Sequence, residues 1–170
     1  MGTKGFSAMR EIFIGSVTVS VIKHIKNCPI IAVPREYDYD IPDDILFACN
    51  FKYAYIAPEL APLLDISSLW DSTLNVLHIN SKKVLDDTQR LNKELLRNSL
   101  KDIRHRFLQV KKQDSIASTI YQLEKENKII GMVALLKTKQ VFFEKLIHEP
   151  VFRNLAFKTE VPLLVIPQRN

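Results

Sequence analysis

Three of the four glycines in this 170-residue chain fall in one stretch, Gly2-Thr3-Lys4-Gly5, then nine residues, then Gly15-Ser16. Glycine lets the backbone take positive φ and approach a ligand closely, so that successive N–H groups can line a concavity around phosphate oxygens. Ser16 opens a run with helical spacing. Its hydroxyl, the free amides of the first turn and the positive end of the helix dipole would then face the same anion. Gly2, Gly5, Gly15 and Ser16 are therefore the candidate phosphate-binding residues. The plainer account is that Gly2 and Gly5 form an ordinary loop and that Gly15 permits close packing of the helix.

Other residues that could do chemistry are scattered. His24, His78, His105 and His148 form no HxxxH pair and have no cysteine or carboxylate at metal-ligand spacing, so no metal is implied. His78 ends a predicted strand and could serve as a general base, but no Ser or Cys at an activated elbow accompanies it; a hydrogen-bonded strand-end histidine is the simpler reading. Cys28 and Cys49 lack a CxxC spacing and read as buried free thiols of a reducing compartment. The net charge of +5 is uneven. Glu36, Asp38, Asp40, Asp43 and Asp44 make residues 35–44 acidic, and 35–41 reads as an acidic connector, with Tyr37 and Tyr39 expected to pack it. Residues 82–112 hold ten Lys and Arg against four acids. Such a run can mark nucleic-acid binding. Here the charges mix in sign and interleave with Leu91, Leu95, Leu100 and Ile103, which reads better as the solvated side of an amphipathic helix.

The elements that would position these residues follow from periodicity. Val17, Val21, Ile22 and Ile25 lie on one helical face over 16–27, Pro29 ends that helix, and the apolar run from Ile30 to Val33 is closed by Pro34. After the connector, strands are predicted at 45–51, 73–79, 107–110, 129–136 and 163–166. Helices are predicted between them at 57–70, 82–105, 115–127 and 151–157. This β-α alternation is that of an α/β, doubly wound parallel sheet, in which a ligand sits beyond the strand C-termini where the strand order reverses. No run of eighteen apolar residues occurs, so no membrane span is expected and the chain is read as soluble and cytoplasmic. No strand precedes the glycine loop to deliver it, so the chain is expected to start inside a domain.

The head of the chain recurs at its tail. Shifted by 133 positions, Cys28-Pro29-Ile30-Ile31-Ala32-Val33-Pro34 overlays Val161-Pro162-Leu163-Leu164-Val165-Ile166-Pro167, and Glu11 overlays Glu144 without a gap. Residues 1–34 therefore read as the last piece of a preceding unit, and 42–168 as a complete second one. A single domain with an N-terminal extension would account for the same helix and strand but not for their shared order. The two apolar runs, Ile30 to Val33 and Leu163 to Ile166, are short, end their units and would leave polar backbone bare; they are expected to pair antiparallel, within one chain or between two.

The peptide GTKGFSAMREIFIGSVTVSVIKHIKNCPIIAVP resembles the C-terminal signature of the universal stress protein family. DDILFACNF is similar to that family's first strand, and TLNVLHIN to its second. The resemblance covers nearly the whole chain and implies the back part of a tandem two-unit member. It implies a five-stranded parallel sheet of order 3-2-1-4-5, an interface between last strands as a homodimer or intramolecular pseudo-dimer, and a role in stress-linked signalling through an unknown protein partner rather than catalysis. ATP-binding members carry the spacing seen at Gly2, Gly5, Gly15 and Ser16, so an ATP site is possible only at the head fragment, where binding is expected to be weak or missing because the first strand of that unit is absent. The second unit departs from the pattern. Under the same shift Gly2, Gly5, Gly15 and Ser16 become Leu135, Thr138, His148 and Glu149, and Asn50 stands where an acid usually ends the first strand. No cofactor is expected there, since Glu149 would repel phosphate; Lys137 and Lys139 read as solvated loop lysines. The alternatives left open are an adenine-nucleotide binder or weak ATPase using the head loop, and a basic nucleic-acid-binding protein.

Overall fold

The structure, a computed structural model, describes residues 16–80, 84–137 and 159–168. The elements run α1 (Ser16–His24), β1 (Ile30–Ala32), β2 (Asp44–Cys49), α2 (Ala57–Leu69), β3 (Thr73–Asn80), α3 (Asp87–Ser99), β4 (His105–Lys111), α4 (Ile116–Glu126), β5 (Ile130–Lys137) and β6 (Leu163–Pro167). They form one six-stranded sheet of order β1-β6-β5-β2-β3-β4. Strands β2 to β6 are mutually parallel and, counted from β2, stand in the order 3-2-1-4-5. The helix expected at 151–157 lies outside the described residues.

Residues 45–49, 130–136 and 163–166 are apolar because both faces of the sheet are covered. Leu46, Ala48, Val133, Leu135, Leu163 and Val165 point to one face, against Ile22 of α1 and Ile116 and Ile120 of α4. Ile45, Phe47, Cys49, Ala134, Leu164 and Ile166 point to the other, against Leu60 and Leu63 of α2 and Leu96 of α3. Alternate residues of one strand thus feed two cores, as the pleat requires. Gly131 lets the connector close over the sheet: a Cβ there would stand 2.6 Å from the Cα of Pro42. The carbonyl of Pro42 in turn accepts a 2.5 Å hydrogen bond from Ser72 Oγ.

Capping sets the helix starts. Asp86 and Gln89 bond reciprocally to each other's backbone N–H at the head of α3, and Ser115 and Ser118 do so at α4. Helix α3 is therefore shorter than the 82–105 expected. It also presents a different face: Asn92 and Leu96 are buried, whereas Leu91 and Leu95 are exposed. The chain after Ser99 must reach β4, which pairs with β3 from His105 onward, so Leu100 and Ile103 reach the core from a turn instead. Helix α2 runs through Pro62, which lies beyond its first turn.

Strand β1 is antiparallel to β6, with Ile30 opposite Val165, Ile31 opposite Leu164 and Ala32 opposite Leu163. This register has a symmetry that the internal repeat explains. Ile31 and Leu164 are equivalent under the 133-residue shift (31 + 133 = 164), and they face each other at the centre of the ladder. Ile30 and Ala32, equivalent to Leu163 and Val165, face each other's copies. A pseudo-two-fold axis passes through that central pair, as in an isologous interface. Cys28, expected to be buried, is exposed in the loop before β1, while Cys49 is buried in β2. Within the acidic connector Tyr37 is half-buried and its hydroxyl donates to the Asp40 carbonyl, but Tyr39 is 75% exposed and packs nothing together.

Candidate functional site

In a sheet of this order the strand sequence reverses between β2 and β5, and the C-terminal ends of those strands are where a ligand would be held. At the end of β2 the chain makes a tight, strained turn. Phe51 has φ 56°, a left-handed conformation that an aromatic residue rarely takes and that costs on the order of 1–3 kcal/mol. Three hydrogen bonds hold it. Asn50 Oδ1 accepts from the Lys52 amide at 3.0 Å, the Asn50 carbonyl accepts from Gln89 Nε2 at 2.7 Å, and the Phe51 carbonyl accepts from Asn92 Nδ2 at 2.8 Å. The two donors on α3 fall at helical spacing, so one face of that helix grips the turn.

The turn aims the Phe51 ring inward. It is 2% exposed and lies stacked on His78, ring centroids 4.9 Å apart, with Phe107 on a further side at 6.2 Å. The Lys93 ammonium stands 6.0 Å from its centroid. His78 is a buried strand-end histidine whose Nδ1 is 3.3 Å from the Cys49 carbonyl, and burial lowers its pKa. Cys49 is no nucleophile, since burial pushes its thiol up to about 12. Beyond the turn, the Tyr53 hydroxyl donates to Glu59 Oε1 at 2.9 Å, and burial with that carboxylate raises the Tyr53 pKa.

At the end of β5, Leu135 is fully buried in the core shared with α1 and α4. Lys137, the last residue of that strand, is not a solvated loop lysine. Its Nζ donates to the carbonyls of Ile22 at 2.7 Å and Ile25 at 3.1 Å, the C-terminal end of α1. A cation there complements the negative end of the helix dipole and satisfies carbonyls the helix leaves open. Local sequence does not reveal this anchoring, because the partners are 112 and 115 positions away. Ser16 is the first residue of α1. Gly2, Gly5 and Gly15 lie outside the described residues, as do Thr138, Lys139, His148 and Glu149.

Leu135, equivalent to Gly2 under the 133-residue shift, carries a buried side chain, and the Phe51 ring is buried beside the end of β2. Among the described residues no group of three His, Cys, Asp or Glu could hold a metal. His24 Nδ1 lies 2.7 Å from the Ser20 carbonyl and His105 Nδ1 lies 2.8 Å from that of Ile103. Phe51, Gln89 and Asn92 were not singled out by sequence reasoning, and the only available signal was the polar spacing of Gln89 and Asn92 on a helix.

No family model matches the sequence, and no curated protein matches it. Comparison with solved structures does give a likeness. A universal stress protein from Archaeoglobus fulgidus DSM 4304 superposes with a TM-score of 0.65 at 16% identity, over 100% of this chain and 60% of that one. This is the universal stress protein fold. A second universal stress protein from Archaeoglobus fulgidus matches with a TM-score of 0.50 at 17% identity, over 72% of this chain and 92% of that one. The chain therefore spans three-fifths of the length of the first of these proteins. Among the described residues, no helix of this universal stress protein fold is long and apolar enough to cross a membrane.

Proposed function

We propose that this chain is a non-catalytic, universal stress protein-like module, acting in stress-linked signalling through protein contacts, whose second unit has a degenerate nucleotide site. The observation that carries this reading is the buried Phe51 ring at the end of β2, seated on His78 and held by Asn92 and Gln89. In this reading the ring takes the place beside the strand end where a base would be held, and a packed aromatic is costly to remove, at about 3–5 kcal/mol for its core contacts. The buried Leu135 at the position equivalent to Gly2 supports the same reading, because a core side chain replaces the bare backbone that a glycine would offer. In this reading residues 1–34 are the end of a preceding unit, and the symmetric β1–β6 ladder is its contact with the second.

The glycine spacing of the head favours a second reading, an adenine-nucleotide binder or weak ATPase built on Gly2, Gly5, Gly15 and Ser16. Isothermal titration of the full chain with ATP and magnesium separates the two. The first reading expects no saturable binding below millimolar concentration. Micromolar affinity that is lost in Gly15→Val would establish the head loop as a working site, and micromolar affinity unaffected by that change would overturn the degenerate second site.

A further inference from the structure

The two edges of the sheet are finished differently. At one end β1 is three residues long and lies between Pro29 and Pro34, which is how natural sheets blunt an edge. At the other end β4 spans seven residues, His105–Lys111, contains no proline and pairs in unbroken register with β3 alone. Among the described residues nothing pairs with its outer side. A row of backbone N–H and C=O groups is thus available along its length.

The strand itself carries charge of one sign, while at its flanks Arg104 pairs with Asp71 and Arg97 with Glu94. Residues 104–112 read Arg-His-Arg-Phe-Leu-Gln-Val-Lys-Lys, with four basic side chains and no acid. Arg106 and Lys111 are exposed and make no ion pair among the described residues. On the α3 side the Lys93 ammonium and the Arg97 guanidinium stand over the Phe107 ring, at 5.4 Å and 4.6 Å from its centroid. On the opposite face Leu108 is 37% exposed and offers an apolar contact at mid-strand. Like charges would face each other if two copies met edge to edge, so this edge disfavours a second copy of the chain. An acidic strand meets the opposite condition.

We propose that the outer edge of β4 is a docking site for an extended, acidic segment of a partner protein, which adds to the sheet as a further strand. Main-chain hydrogen bonds would supply affinity, and Arg106, Lys111, Lys93 and Arg97 would select for acidic side chains around an apolar residue placed against Leu108. The proposal is independent of the nucleotide question, because β4 is separated from the β2–β5 switch point by β3.

The test uses the full chain and fluorescence anisotropy with labelled seven-residue peptides. One alternates Glu and Val, one alternates Lys and Val, and a third is the Glu/Val peptide with the amides of one edge N-methylated. The Glu/Val peptide is expected to bind saturably, to protect amides of 105–111 from hydrogen exchange, and to weaken at least tenfold on N-methylation, on the Lys/Val change, and in Arg106→Glu/Lys111→Glu. The peptide comparisons need no altered protein and so do not depend on the variant folding. Equal affinity for the N-methylated peptide would reduce the site to a general ionic attraction and overturn strand addition. Binding of a single-stranded oligonucleotide with the same charge dependence, and of no peptide, would assign the edge to nucleic acid instead. Self-association lost in the charge variant would assign it to a second copy.

Discussion

At the residue scale, two buried polar side chains behave in opposite ways. His78, whose pKa burial lowers, stacks against the Phe51 ring. Glu124, in the last turn of α4, is a buried carboxyl whose Oε2 accepts from the Glu160 amide at 3.3 Å while its Oε1 has no partner. Burial raises its pKa from 4.5 to about 7; the Glu160 amide and Thr159 oppose the rise, the Glu160 carboxylate adds to it, and Lys125, itself paired with Glu160, opposes it. The sign for stability follows. Below pH 4.5 the group is protonated in both folded and unfolded chains and contributes nothing. Between 4.5 and 7 only the unfolded chain ionises, so the fold loses stability as pH rises, by on the order of 3 kcal/mol, and above 7 the loss is complete. Glu124→Gln should remove this component. Thermal melts of both proteins at pH 5 and pH 8 should show the variant gaining on the parent at pH 8, and an unchanged difference between the two pH values would refute the assignment.

At the element scale, α1 and β1 illustrate how a short segment is held on a sheet that could fold without it. Nine residues of helix and three of strand are marginal alone. Thr18 and Ile22 are buried beneath α1, and Ile30 and Ala32 in β1. Ile22 and Ile30 contribute roughly 1.5–3 kcal/mol each by burial. Lys137 adds two charge-assisted hydrogen bonds to carbonyls of α1, worth about 1–3 kcal/mol together. Lys137→Met keeps the apolar stem and removes the donor. Hydrogen exchange should accelerate at least tenfold across 20–25 while the amides of β2 and β3 keep their protection. Acceleration spread evenly over the sheet would mean that Lys137 supports the whole fold rather than this attachment.

At the scale of the whole molecule, β1 closes one end of the sheet, and among the described residues the other end is left unpaired. Removing residues 1–34 would uncover β6, whose five residues are all buried, and would leave its outer backbone groups unpaired. An edge that is apolar and uncharged invites pairing with another chain, in contrast to the basic β4. The truncated protein is expected to self-associate at concentrations where the full chain does not, with a melting temperature lower by several degrees, as read by analytical ultracentrifugation and calorimetry. A monomeric truncated protein of undiminished heat stability would show that the head does not protect this edge.

Much of the architecture was legible in order and period alone. The unbroken apolar runs of β2, β5 and β6 announce strands buried on two faces, the β-α alternation forces parallel crossovers, and the repeated Pro-bounded run identifies the strands that meet about the pseudo-two-fold axis, because these features depend on neighbours in sequence. What depended on distant neighbours was hidden. Leu91 and Leu95 carry the same apolar signal as Leu96, yet only contact with the sheet decides which is buried. Lys137 is a loop lysine in any local reading, and becomes the anchor of α1 only when β1 pairs with β6 and brings that helix's carbonyls to the end of β5. The buried aromatic at the end of β2 is of the same kind. The loss of the glycines could be read from the repeat, but the seating of Phe51 on His78 required a positive φ, two donors from α3 and the parallel register of β2 with β3, none of which is encoded within the turn itself.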